Sequence, residues 1–285
     1  MRDSHRFAAT LMYGGILTAV FLLCIYTYTY WEQPFPGNWN DILTNFYGIL
    51  AVGLCAAAAT AVWRKYKKSE KLYSIWRFFS LAMWTWMMAD LIWAVYNLVV
   101  VEVPEVSGAD FFYILGYCFF FIALHRQYRL LFRPTPRRDA LTTVGLSAAV
   151  LLLTYLSIFL FPAPAPGTTK IGLLINNFYP IGDLEIAAIA LIFVYKFSRG
   201  FFARPWLGLV IFVFSDSLYA WLGASGEYAY SVLQGNLASL IADTVYTAAY
   251  LVLAILLLNY YLLLRFGPSV AGSFAKFRRN PSPVD

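Results

Sequence analysis

Long apolar runs, each about the length of a bilayer core, alternate with short polar stretches along this chain. A helix needs about 20 apolar residues to cross the hydrocarbon. The pattern predicts eight spans, at 8–31, 42–63, 74–99, 109–132, 140–161, 172–196, 204–223 and 237–264. The first run follows "MRDSHR", but it is long and no small-x-small cleavage site closes it. It reads as a retained span rather than a signal peptide. The expected fold class is an all-α integral membrane protein with eight transmembrane helices.

The polar stretches between the runs differ by side. "RKYKKSEK" (64–71), "HRQYRLLFRPTPRR" (125–138) and "KFSRGFFARP" (196–205) are basic, and so are both ends of the chain. Of the 21 Lys and Arg, only Lys170 falls on the other side. The positive-inside rule then places both termini in the cytoplasm. The opposite loops are acidic or proline-rich: "WEQPFPGNWND", "EVPEVSGAD", "FPAPAPGTT" and "GASGEYAYSVLQGN". Trp31, Trp39, Tyr228 and Tyr230 there suit an interfacial aromatic belt.

Composition agrees with this reading. The chain is 61% hydrophobic and 13% charged, far from the roughly 25% charge of soluble domains. The net charge of +6 is explained by topology. It calls for anionic membrane lipid as a partner, and nucleic acid is not expected. Cys24, Cys55 and Cys118 sit in apolar runs without a CxxC, so no disulfide framework or zinc site is expected.

The chain also echoes itself. "NFYGILAVGL" at Asn45 returns as "NFYPIGDLEI" at Asn177, "ADFFYILGY" (109–117) as "ADTVYTAAY" (242–250), and "ADLIWA" (89–94) as "SDSLYA" (215–220). The order is kept, which suggests two parallel four-helix repeats, 1–138 and 139–266, followed by a cytoplasmic tail, 267–285.

Carboxylates inside the spans carry the candidate chemistry, because an acid at lipid depth is costly unless paired, neutralised or wet. The set is Asp90, Asp183, Glu185 and Asp216, with Asp110 and Asp243 nearer the outer ends. At about 1.5 Å per residue, Asp90 lies roughly 13–14 Å from its outer end and Asp183 roughly 16–17 Å in. Helical stripes join these acids to aromatic and amide groups: Trp86, Asp90, Trp93, Asn97; Asp110, Tyr113, Tyr117; Asn176, Tyr179, Asp183; Asp243, Tyr246, Tyr250. Tyr219 follows Asp216 by three. Glu185 should point away from Asp183. No buried Lys or Arg is expected to balance these acids. A hard cation such as Ca²⁺ fits them, and so does an organic amine held by cation–π contact. The bland alternative is hydrogen-bonded glue between helices, or N-caps in the case of Asp110 and Asp243.

Other chemistry is hard to build. The two histidines, His5 and His125, lie at the N-terminus and a basic loop, so haem or multi-histidine zinc sites are not expected, and neither is any cofactor. There is no GxSxG, P-loop or dinucleotide fingerprint.

Tyr179-Pro180 with Asp183, then Asp216 with Tyr219 and Ala220, Gly226 with Tyr228, and the paired Tyr246 and Tyr250 form a recognisable series. It resembles the multi-span N-terminal membrane sensor regions of bacterial histidine kinases and diguanylate cyclases. The resemblance implies a stimulus-sensing domain of the bacterial cytoplasmic membrane. No kinase, GGDEF or EAL domain follows in this sequence, so output is expected through a separate cytoplasmic signalling protein.

The sequence therefore points to a receptor-like sensor that binds a small extracytoplasmic ligand or cation. The ligand-binding residues expected are Asp90, Trp93, Asn97, Asp110, Tyr113, Tyr179, Asp183, Asp216, Tyr219, Asp243 and Tyr246. A secondary transporter of a cation or small metabolite stands as an alternative. A lipid-acting membrane enzyme is a third, weakened by the lack of a nucleophile or metal ligands.

Overall fold

The computed structural model describes residues 2–100, 104–132, 137, 169–197, 201–224, 227–228 and 236–267. Seven helices among them are long and apolar enough to cross a membrane. They are α1 (Arg2–Glu32), α2 (Trp39–Trp63), α3 (Lys71–Val95), α4 (Gly108–Phe132), α5 (Lys170–Lys196), α6 (Arg204–Ala224) and α7 (Leu237–Phe266). A π-helical turn, Tyr96–Val100, extends α3. The expected fifth span at 140–161 lies outside the described residues, as do Gly226, Tyr230 and the tail beyond Gly267.

Local chemistry sets the helix ends. The Thr169 hydroxyl accepts from the Gly172 amide at 3.0 Å and starts α5. The Asn236 carbonyl accepts from Ser239 at 2.8 Å and starts α7. Both are N-caps that satisfy a donor the helix itself cannot. Before α4, the Asp110 carboxylate reaches back to the Ser107 amide at 2.7 Å, while the Ser107 hydroxyl accepts from Ala109 at 3.2 Å. This is a capping-box arrangement. Between α1 and α2, the buried Asn40 side chain exchanges two hydrogen bonds with the Phe35 backbone, at 3.1 and 2.7 Å. That clip fixes a turn in which Gly37 takes a φ of +60°, the left-handed region that glycine enters without cost. Gly267, at φ +81°, closes α7 in the same way.

The helices pack in a ring. Neighbours in contact are α2 and α3, α3 and α4, α4 and α5, α5 and α6, α6 and α7, and α7 with α2. Helix α1 lies outside, against α2 and α7. Pairing across α4 and α5 fixes their direction. Tyr179 meets Asp110, and further along both helices Tyr117 meets Asp183. The two neighbours therefore run parallel. Outer faces carry exposed apolar side chains such as Leu17, Phe21, Leu174 and Phe214, as helices solvated by lipid require.

Part of the ring interior is packed with aromatic side chains. Trp76 stacks on Trp206 with centroids 5.7 Å apart, Phe193 meets Trp206 at 5.0 Å, and Phe79 meets Phe120 edge-on at 5.1 Å. The Tyr66 and Tyr260 hydroxyls are hydrogen-bonded at 2.7 Å. These residues gather at the end where the basic loop 64–71 lies. Trp86 and Phe212, 4.8 Å apart, form the upper surface of this floor.

Candidate functional site

Above the floor, the ring opens into a chamber of about 570 Å³. Its lining includes Pro104, Glu105 and Tyr228, which belong to the end carrying the acidic loops. Helical periodicity explains why the side chains gather there. Asp90, Trp93 and Asn97 share one stripe of α3, and Asp110, Tyr113 and Tyr117 share one stripe of α4. Both stripes face the ring axis.

Of the residues expected from sequence, Asp90, Trp93, Asn97, Asp110, Tyr113, Tyr179, Asp216, Tyr219, Asp243 and Tyr246 all line this chamber. Asp183 does not. It is fully buried one layer behind the wall, where Tyr117 donates to its Oδ1 at 2.5 Å and Ser217 to its Oδ2 at 3.2 Å. The physical reason is the close approach of α4 and α5 at Gly182. A Cβ there would come within 2.9 Å of the Tyr117 ring. The absent side chain lets Tyr117 lie over Asp183 and cover it. Glu185, two residues on, is half-buried and off the chamber wall.

The four aspartates of the wall are each held by a tyrosine from another element. Tyr113 of α4 donates to Asp90 Oδ1 at 2.5 Å. Tyr179 of α5 donates to Asp110 Oδ1 at 2.6 Å, while Ser107 occupies Oδ2. Tyr117 reaches Asp216 Oδ2 at 3.0 Å as well as Asp183. Tyr228 donates to both oxygens of Asp243, at 3.0 and 3.2 Å. Asp110 is thus a capping residue as well as part of the wall. Asp243 lies inside α7, whose N-cap is Asn236, so it caps nothing.

Tyr228 departs from the expected belt position. It folds inward, with its ring 4.7 Å from that of Tyr219. Burial, and behind it the Tyr219 hydroxyl and the Asp243 carboxylate, push its own hydroxyl well above the usual phenol range. It therefore stays protonated and serves as a donor.

Other lining residues were not expected from sequence. Tyr26 and Tyr30 of α1, and Thr44, Asn45 and Gly48 of α2, form part of the wall. Glu105 is a lining acid that also accepts from the Thr169 amide through both oxygens at 3.0 Å, tying the loop before α4 to the start of α5. Tyr117, the hydroxyl that joins two helices' acids, was visible in its stripe but not assigned a role.

Among the described residues the lining holds five carboxyl groups, Asp90, Glu105, Asp110, Asp216 and Asp243, and no Lys, Arg or His. Tyrosine hydroxyls and the indoles of Trp86 and Trp93 fill the space between them. Such a space offers acceptors and π-faces to a positively charged or hydrogen-donating guest. Among the described residues, no three His, Cys, Asp or Glu side chains converge to hold a metal ion. Comparison with family models, with curated proteins and with solved structures finds no match, so a functional reading has to rest on the chamber.

Proposed function

We propose that this chain is a receptor-like sensor module of the bacterial cytoplasmic membrane, with the chamber as its site for a small extracytoplasmic ligand. The observation that carries the proposal is a chamber whose described lining residues include five carboxyl groups and no Lys, Arg or His, set above an aromatic floor. On α3 the floor runs from Trp86 to Trp76, about 15 Å of helix at 1.5 Å per residue. A one-sided pocket suits detection of an outside solute, with a separate cytoplasmic protein to receive the signal.

The proposed topology has eight spans in two parallel four-helix repeats, with both termini cytoplasmic. Parallel α4 and α5 support it, because a chain leaving α4 must return across the membrane before entering α5 in the same direction. The ring order supports it too. Helices α2, α3 and α4 follow one another around one side, and α5, α6 and α7 around the other. The basic loops supply the orientation.

A secondary transporter is the competing reading, favoured by a chamber set between the two groups of helices. Flux separates the two. The sensor reading expects small organic cations to raise the thermal midpoint of the reconstituted protein, with Asp216→Asn removing the shift and with no uptake into proteoliposomes. Uptake of a stabilising compound that disappears in Asp216→Asn decides for transport.

A further inference from the structure

We infer that the guest of the chamber is an organic ammonium compound, seated with its charged nitrogen between Asp90 and Asp216 and its body against the Trp86–Phe212 surface. This deepens the proposed function and rests on it. Three features of the site separate this guest from a metal ion.

The first is where the acids sit. The wall carboxylates come from α3, α4, α6 and α7, and no three described ligating side chains meet at one point. A calcium ion takes six to eight oxygens at about 2.3–2.6 Å, and dispersed carboxylates cannot close such a shell. An ammonium nitrogen needs far less. Its N–H groups, or its methyl groups in a quaternary amine, are satisfied by one or two negative charges and an aromatic face.

The second is how the acids are held. Tyr113 engages Asp90 through Oδ1, and Tyr117 engages Asp216 through Oδ2. Each tyrosine orients its carboxylate by donating to one of its oxygens. Asp90 of α3 and Asp216 of α6 line the same chamber. Two like charges in one low-dielectric space attract a cation strongly, because its entry relieves their repulsion.

The third is what lies beneath. Trp86 and Phe212 are both almost fully buried and present ring surface to the chamber bottom. Trp86 is fixed by its indole N–H donating to the Tyr113 carbonyl at 3.1 Å. Immobilised rings beside paired carboxylates select for an apolar body attached to a cation. A small hydrated ion gains nothing from them.

The test uses the full chain in nanodiscs of zwitterionic lipid, with the thermal midpoint as the readout. The probes are tryptamine, phenethylamine, choline and cadaverine, with phenethyl alcohol as the neutral counterpart of phenethylamine and calcium chloride as the metal arm. At least one amine is expected to raise the midpoint, and phenethyl alcohol and calcium are expected to leave it unchanged. Asp90→Asn should raise the half-saturating amine concentration roughly tenfold to hundredfold, the loss of one charge-assisted contact. Asp90→Glu, which keeps the charge, should retain most of the response, and its own midpoint reports whether substitution at this position is tolerated. Equal stabilisation by phenethyl alcohol, or calcium stabilisation that Asp90→Asn abolishes, overturns the ammonium assignment while leaving a ligand chamber in place. No response to any probe overturns both.

Discussion

Removing one oxygen atom, the Tyr117 hydroxyl, tests how the buried acids are held. Its single hydrogen lies between Asp183 Oδ1 at 2.5 Å and Asp216 Oδ2 at 3.0 Å. Tyr117→Phe deletes both contacts but keeps the ring, which packs edge-on against Phe178 at 5.3 Å and Trp86 at 5.4 Å. The packing loss is therefore close to nil and the effect belongs to the hydroxyl. Hydrogen bonds between membrane helices average about 0.6 kcal/mol and reach about 1.7. Leaving a buried acceptor short of its donor costs about 1–3 kcal/mol. Asp183 keeps the longer Ser217 contact at 3.2 Å and its carboxyl neighbour Asp216 but loses the shortest of its bonds, so the higher range governs. Tyr117→Phe should destabilise the protein by about 1–3 kcal/mol in denaturant unfolding followed by tryptophan fluorescence. A double-mutant cycle with Asp183→Asn isolates the pair, and its coupling should exceed about 1 kcal/mol. Tyr195→Phe, at an 83% exposed position, should stay within about 0.5 kcal/mol of the parent. If Tyr117→Phe behaves like that control, or if the cycle is additive, the hydroxyl holds neither acid and the reasoning fails.

Other outcomes follow from geometry already described. At Gly208, an added Cβ would sit 2.8 Å from Leu253 Cδ1 and 3.2 Å from its backbone Cα. The backbone cannot yield, so Gly208→Ala should cost about 1–3 kcal/mol, whereas Gly14→Ala, with open space around it, should be neutral or gain up to about 1 kcal/mol in the same unfolding assay. The Tyr228 hydroxyl is raised by burial, so its contribution is complete below the free phenol value of about 10 and is lost as pH climbs beyond it. Stability measured above about pH 10 should therefore fall less steeply in Tyr228→Phe than in the parent protein.

Much of this architecture is written in the order of residues. Apolar runs located the helices because length alone decides a crossing, and the acid–aromatic stripes located the chamber because 3.6-residue periodicity decides a face. Asp183 shows where that logic stops. It sits in the same kind of stripe as Asp90, but whether a side chain meets the axis or a neighbouring helix depends on how closely two helices approach. Gly182 was the local signal, beside the residue it allows Tyr117 to cover. Tyr26, Tyr30 and Thr44 were missed because uncharged groups in apolar helices carry no desolvation alarm. Tyr228 was read as an interfacial ring because nothing in a loop's sequence says which way it folds. Glu105 was taken as a loop acid for the same reason, although its contact with Thr169 fastens two elements far apart in sequence.

The shut aromatic floor has a consequence for how news of the chamber could travel. In the proposed sensor, a solute held above the packed rings would signal by mechanical displacement of the helices that carry them. In that reading, helices α3 and α6 would act as levers. Each bears an acid at the chamber, Asp90 or Asp216, and a tryptophan in the floor, Trp76 or Trp206, and the two indoles touch. A tilt begun at either acid would arrive at the far side as a slip between two stacked rings.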